Sequence, residues 1–296
     1  MTSPIHIPVL LNEVIEFLNI KKTDTIVDFT IGFGGHAKEL ISKINLTGRY
    51  IGIDQDINAI KFCKEKFSKN KNVSIYHSNY SQFPSILKKE NIKTFDKALI
   101  DLGVSSHQFD DISRGFSHRG NATLDMRMDT KKSIKTAKEI INTYSKTDLS
   151  DIFYQFGELH QNKILVDNII YKRKQSSIET TNELCEIIKK SYYFNNNRKK
   201  LIKTYSQVFQ ALRIEVNQEF DILETTLSKL SNYLNKESII AIITFHSLED
   251  RLVKKFVKTS DTFEFSPKKV IKPTYEERKT NARSRSAKCR IIKIKH

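Results

Sequence analysis

Acid is scarce in this chain: 34 Asp and Glu face 50 Lys and Arg over 296 residues, a formal charge of +16. Cysteine is scarce too. Cys63, Cys185 and Cys289 lie far apart and form no CxxC pair, which excludes a disulfide framework and a cysteine-built zinc site and fits a reducing compartment. The opening residues lack a charged region followed by an apolar stretch, so no secretory signal is expected. The longest clean apolar run, Ile239 to Phe245, is far too short to span a bilayer. No internal repeat or low-complexity linker is present, and 39% hydrophobic against 28% charged residues excludes collagen-like and globally disordered chains. These absences predict a soluble, cytoplasmic protein with no membrane contact and no resident metal.

What is present begins with the placement of the charge. From Lys268 to His296 there are eleven Lys and Arg but only Glu276 and Glu277, so nine of the sixteen excess charges sit in the last 29 residues. A second acid-free stretch runs from Lys189 through Arg198, Lys199 and Lys200 to Lys203. Clustering of this kind points to phosphate, and so to nucleic acid, more readily than scattered charge does.

The first hundred residues alternate short buried-strand patterns (Thr25–Phe29, Arg49–Ile53, Asn72–Tyr76, Asp96–Leu102) with helical ones (Ala37–Ile44, Asn58–Phe67). Such βαβ alternation implies a parallel sheet with right-handed crossovers. Between about Ser106 and Thr204 the patterns turn helical. Phe209, Leu212, Val216 and Phe220 then predict one long amphipathic helix, Ser238–Phe245 a buried strand, and Phe263–Phe265 with Arg290–Lys295 two antiparallel edge strands. The expected fold class is α/β: a doubly wound, mostly parallel sheet built from 1–105 and 205–296, split by a helical insertion over 106–204.

Four strand ends carry polar groups. Asp28 precedes Gly32-Phe33-Gly34-Gly35-His36 between a strand and a helix, where glycines let backbone approach a ligand. Asp54, twenty residues after Gly34, is placed to accept hydrogen bonds from a ribose. Gly32-x-Gly34-x-x-Ala37 also satisfies a dinucleotide fingerprint, so a nicotinamide oxidoreductase stays open. Asp28 favours S-adenosylmethionine, because a carboxylate there suits an amino-acid end and repels a pyrophosphate. Asp101-Leu102-Gly103-Val104-Ser105-Ser106-His107-Gln108 ends the fourth strand. Asp101 and Gln108 are candidates for the cofactor, and Ser105 and Ser106 for the methyl acceptor or for helix caps. His246 follows the last parallel strand as a functional candidate, while Ser247 and Asp250 have the spacing of a capping box. Gln210, Arg213 and Asn217 form a polar helical stripe of the kind that grips RNA.

Taken together, these residues resemble the bacterial ribosomal-RNA small-subunit methyltransferase H family. The resemblance rests on His6-Ile7-Pro8-Val9-Leu10-Leu11-Asn12-Glu13, Gly34-Gly35-His36, Asp54-Gln55-Asp56, Asp101 to Ser106, Arg114-Gly115-Phe116-Ser117 and Leu124 to Asp129. It continues through Phe209 to Ile214, Val216-Asn217, Phe245 to Arg251 and Arg283 to Lys288, end to end. It implies a class I, Rossmann-like methyltransferase that uses S-adenosylmethionine to methylate N4 of a cytidine in the decoding centre of 16S rRNA. Its partner would be the small ribosomal subunit, with a homodimer compatible. By resemblance the cofactor contacts are Gly34, Gly35, His36, Asp54, Tyr80, Asp101 and Gln108. Asp101 and Ser105 are candidate acceptors of the cytosine N–H bonds, with His246 or Asp125 orienting the base. Phe29, Tyr80, His107, Asn121 to Thr123 and Gln207 depart from the family's usual residues. An inactive RNA-binding assembly factor and a methyltransferase for protein or DNA are the rival readings.

Overall fold

The computed structural model describes residues 8–131 and 134–295. His6 and Ile7 of the first motif lie outside them. The chain divides into two compact units, one running to Gly103 and resuming at Phe220, the other spanning Val104–Glu219.

The first unit is built on a seven-stranded sheet. Its strands are β1 (Thr25–Asp28), β2 (Arg49–Asp54), β3 (Val73–His77), β4 (Phe95–Asp101), β5 (Leu234–Thr244), β6 (Phe263–Phe265) and β7 (Lys288–Ile294). They are ordered β3-β2-β1-β4-β5-β7-β6. β1 to β5 are parallel: Val27 pairs with Ile51 on one side and Ala98 on the other, and Leu99 pairs with Ala241. The helices of this unit are α1 (Leu11–Leu18), α2 (Gly35–Lys43), α3 (Ile57–Lys66) and α4 (Phe83–Lys89) in its first segment. The inserted unit supplies α5 (Ser106–Asp110), α6 (Ala137–Thr143), α7 (Lys146–Gln155), α8 (Lys163–Gln175), α9 (Thr181–Ser191) and α10 (Arg198–Asn217). The chain then runs through α11 (Glu219–Leu230), α12 (Ser247–Thr259) and α13 (Tyr275–Thr280).

Side chains alternate across the parallel strands, which sends Val27, Ile51, Ile240 and Ile242 into one apolar layer and Ile26, Tyr50, Ile239 and Ala241 into the other. Both faces are covered, so these strands read as continuous apolar runs rather than as alternating ones. Phe29 anchors the first layer, with the rings of Phe83 and Phe95 packed edge-on at 5.2 and 6.2 Å. Each such fully buried side chain contributes about 1.5–3 kcal/mol relative to an exposed one. The order of strand addition reverses between the parallel strands β1 and β4, the switch point at whose carboxyl ends an open α/β sheet forms its crevice.

Three sequence expectations change here. β7 is not an edge strand: it lies between β5 and β6, hydrogen-bonded antiparallel to both. Its core-like Cys289, Ile291 and Ile292 are buried, and the interspersed basic residues masked this interior position. The stripe through Phe220 does not belong to one helix either. α10 stops at Gln218, whose φ of 51° is left-handed, and Phe220 lies on α11. The expected boundary at 204 and 205 also moves, because the whole of α10 belongs to the second unit, where Phe209, Leu212 and Val216 join its core.

That second core gathers Leu124, Met126, Ile140, Phe153, Leu165, Leu184 and Val208 with α10. Capping boxes begin α5, α6, α7 and α9, at Ser105, Thr136, Ser145 and Thr180. The polar stripe of α10 turns inward. Gln210 donates to the Phe156 carbonyl at 2.8 Å and Arg213 holds Glu219 through two bonds. Asn217 donates to the Met126 carbonyl and accepts from the Met128 amide. These residues brace the unit and are not a solvent-facing RNA grip.

Candidate active site

Asp28 ends β1, Asp54 ends β2 and Asp101 ends β4, so three carboxyls of one unit stand at the carboxyl ends of neighbouring strands. Asp28 is sealed from solvent. Tyr50 donates its hydroxyl to Oδ2 at 2.6 Å, and the Thr30 amide donates to Oδ1 at 3.1 Å. Burial outweighs those bonds and pushes the Asp28 carboxyl up to about 7. Asp54 accepts the Gly32 amide on one oxygen and the Asp56 amide on the other, each at 2.8 Å. Burial again dominates and lifts it to about 6. The Gln55 amide also lies on this carboxyl, which leaves it a lone pair for a ligand hydroxyl.

The glycine loop between β1 and α2 is held by those same bonds. Gly32 has φ +50°, and a Cβ there would meet nothing nearer than the Thr30 carbonyl at 4.0 Å, so the space over it is open. Gly34 has φ +71°, and a Cβ would strike the Phe67 ring at 2.9 Å and the Cys63 sulfur at 3.1 Å. Its lack of a side chain therefore serves the packing of α3 as well as the turn. Gly35 opens α2.

His36 and Asp101 come together. His36 is buried, with Nε2 3.0 Å from the Val9 carbonyl. A carbonyl only accepts, so Nε2 carries the proton, and in the neutral ring Nδ1 turns a lone pair toward Asp101 Oδ2, 3.7 Å away. The Asp101 backbone amide donates to the Thr30 hydroxyl at 2.7 Å. Oδ1 of Asp101 is buried and has no hydrogen-bond partner among the described residues. Burial first, then the charges of Asp28 and Glu249, hold this carboxyl well above the usual carboxylate range. A buried acceptor of this kind is costly to the fold and marks a place where a donor is meant to arrive.

The other candidates are tied into local structure. Tyr80 is buried in the first apolar layer, edge-on to Phe29 at 6.3 Å, so two of the departures noted in the sequence pack against each other. His246 caps α12. Its Nδ1 accepts the Glu249 amide at 3.3 Å and its Nε2 lies 3.0 Å from Glu249 Oε1. The capping box is therefore His246 with Glu249 rather than Ser247 with Asp250. Asp250 instead binds Arg290 and Lys288, at 2.6 and 3.2 Å. Ser105, Gln108 and Asp125 belong to the second unit. Ser105 and Gln108 bond each other as the cap of α5, and Asp125 holds Arg127 through both oxygens at 2.9 and 2.8 Å, which lowers the Asp125 pKa. Sequence reasoning missed Tyr50, Thr30 and Glu249. A tyrosine inside an apolar strand needs a buried partner, and that rule would have paired Tyr50 with the acid ending β1.

A family model, described as the MraW methylase family, matches residues 3–295. This chain belongs to the MraW methylase family. A ribosomal RNA small subunit methyltransferase H from Hydrogenobaculum sp. (strain Y04AAS1) is 45% identical over 290 residues, covering 98% of this chain and 96% of that one. Its counterpart from Clostridium botulinum (strain Loch Maree / Type A3) is 42% identical over 306 residues, covering 97% and 98%. That from Bacteroides fragilis (strain YCH46) is 40% identical over 305 residues, covering 98% and 97%. Among solved structures, an rRNA methylase from Streptococcus thermophilus aligns with a TM-score of 0.46 at 9% identity, covering 97% of this chain and 94% of that one.

The chain is a methyltransferase of this family, and its cofactor is S-adenosylmethionine. The residues present fit that molecule. Asp54 offers a lone pair to a ribose hydroxyl, the open face over Gly32 admits a ligand against backbone, and Asp28, buried with both oxygens bonded, would favour a positively charged amino group through its field rather than by contact. The nicotinamide reading of the glycine loop is thereby set aside. No helix among the described residues is long and apolar enough to cross a membrane, and no cluster of them could hold a metal ion.

Proposed function

We propose that this methyltransferase acts on N4 of a cytidine in 16S rRNA, at the decoding centre of the small ribosomal subunit in the cytoplasm. The relatives named for the small subunit support the RNA class, and the clustered basic charge supports a polyanionic substrate. The orphaned Oδ1 of Asp101 carries the chemistry, because an exocyclic amine is the donor that a buried lone acceptor would receive.

When bound, S-adenosylmethionine supplies a methyl group on a positively charged sulfur. Transfer would join that methyl to cytosine N4, leave the electron pair of the methyl–sulfur bond on sulfur, and release one proton from N4. The N4 lone pair is conjugated with the ring, so the nitrogen must be held close and allowed to pyramidalise. Oδ1 of Asp101 accepts an N4–H bond, which steers the lone pair toward the carbon and stabilises the charge that develops on nitrogen. Methylated N4 in its cationic form is very acidic, and Asp101 receives its proton. His36, fixed by the Val9 carbonyl, places its Nδ1 3.7 Å from the other oxygen of that carboxyl. Ser105, Asp125 and His246 were the further candidates for holding the base. Each has a structural partner, and we assign the N4 contact to Asp101. The cytidine must be splayed from its stack at a cost of a few kcal/mol.

The test is transfer of labelled methyl from S-adenosylmethionine to small subunits lacking the modification, followed by nucleoside analysis of digested RNA. Label recovered as N4-methylcytidine at one position is expected. Label in another nucleoside, or none in RNA despite cofactor binding, overturns the reading.

A further inference from the structure

The connection between α9 and α10 combines features that the fold has no use for. Tyr193 at its crest is 81% exposed. Tyr192 before it packs on the core of the second unit, with the Phe194 ring 6.0 Å away, so the rings on either side are engaged and Tyr193 faces solvent. The backbone is held in place. Asn195 and Asn196 both adopt left-handed φ, 43° and 56°, a conformation Asn tolerates better than most residues. Asn197 caps α10 by accepting the Lys200 amide at 3.0 Å, and Lys200 Nζ returns to the Tyr193 carbonyl at 3.3 Å.

Around this ring the charge has one sign. Lys189 and Lys190 end α9, and Arg198, Lys199 and Lys200 open α10 with no acid in its first turn. Lys203 follows one turn later, and every one of these six side chains is exposed. Cations at a helix N-terminus oppose the helix dipole, and an exposed tyrosine gains nothing from burial. Both choices lower stability, and such local conflicts gather where a chain meets a partner.

We infer that this hairpin tip is a binding site for unpaired RNA, with Tyr193 as a stacking platform for one base and the surrounding Lys and Arg gripping the flanking phosphates. A ring amid cations, with no acid between residues 189 and 203, is the arrangement that holds single strands without reading sequence, because every base has a face to stack and every linkage a charge. The inference rests on the RNA reading of the substrate for its setting and adds to it the strand state of the RNA that the tip engages.

The full chain is titrated with a fluorescein-labelled single-stranded RNA of mixed sequence, and with the same RNA annealed to its complement. Tyr193→Ala is expected to weaken single-strand binding about 5- to 50-fold, leave the duplex unaffected and keep the salt dependence. Tyr193→Phe, which retains the ring, is expected to bind as wild type does. The triple variant Arg198→Ala, Lys199→Ala, Lys203→Ala is expected to lower the slope of log affinity against log salt by about 2. Unchanged single-strand affinity in Tyr193→Ala, or equal losses for single strand and duplex, overturns the proposal. So does polyglutamate binding that matches RNA and is lost in the same variants, which would make the tip a site for an acidic protein. Methyl transfer to small subunits is measured alongside. Transfer without any role for Tyr193 removes this proposal alone, whereas RNA binding through Tyr193 with no transfer removes only the substrate reading.

Discussion

The Tyr50 hydroxyl donates to Asp28 Oδ2 at 2.6 Å, across two adjacent strands and out of reach of solvent. That bond orders a buried carboxyl and favours its ionised form, but burial prevails and holds the group at about 7, so it keeps its proton below that pH. The pair is more useful to a cationic ligand than to the fold.

Asp28→Asn should therefore separate stability from binding. An unfolded carboxyl ionises near 3.8, whereas the folded one ionises near 7. Between those values the native state holds a proton that the unfolded state has released, so this group's contribution is full below pH 4 and is lost as pH rises to 7. Thermal melts should show the Asn variant at least as stable as wild type at pH 8, with a smaller fall between pH 5 and 7. Its S-adenosylmethionine affinity, by calorimetry, should drop several-fold at pH 8, where the wild-type group is ionised, since a cationic ligand then loses the field of a buried charge.

The same carboxyl predicts a proton linkage. A positive charge arriving beside Asp28 favours its ionised form, so cofactor binding near pH 6.5 should release protons. Calorimetry in two buffers of different ionisation enthalpy measures this directly. The release should shrink toward zero above pH 8 and be largely missing in Asp28→Asn.

Asp101→Asn should lower kcat by about 10²–10⁴-fold, the range for removing a positioned proton acceptor. Cofactor affinity should change far less. Since the wild-type carboxyl is held above its ordinary range by burial, the rate at saturating RNA should rise with pH as Asp101 ionises, and the Asn variant should lose that rise. A melting temperature equal to or above wild type is expected, because the variant buries no ionisable group. A rate unchanged in the variant would remove Asp101 from the reaction.

His246 tests whether a strand-end histidine acts in chemistry or in architecture. Its Nδ1 accepts the Glu249 amide in the first turn of α12, so His246→Ala should destabilise the protein by about 0.5–2 kcal/mol. His246→Asn supplies an equivalent cap without an imidazole. It should recover most of the stability and most of the methyl transfer. Full stability with no transfer in the Asn variant would return His246 to the chemistry.

The parallel core was legible because buried β strands are short, apolar and β-branched: Thr25–Phe29 and Ser238–Phe245 announce themselves. The three strand-end carboxyls were equally visible, since Asp28, Asp54 and Asp101 each interrupt an apolar run. β7 was misplaced because Lys288, Arg290 and Lys293 alternate with its buried residues, a pattern shared with solvent-facing edges. Asp250, which holds two of those cations, is 40 residues away from Arg290. Long-range partners of that kind, like Asn217 with Met126, leave no periodic trace. The break at Gln218 depends on a single left-handed residue, and an apolar stripe passes over it without notice.

Leu99 and Ala241 are hydrogen-bonded neighbours in the sheet, yet they stand about 140 residues apart, so their pairing closes a very large loop. Folding speed falls as contacts become less local. The inserted unit has a core of its own, and once collapsed it turns most of that loop into a compact body and shortens the flexible chain left to close. The helical insertion thus governs how quickly the sheet can be completed. Substitutions that loosen only its interior should appear as slow refolding of β4 onto β5 well before they appear in the stability of the finished sheet.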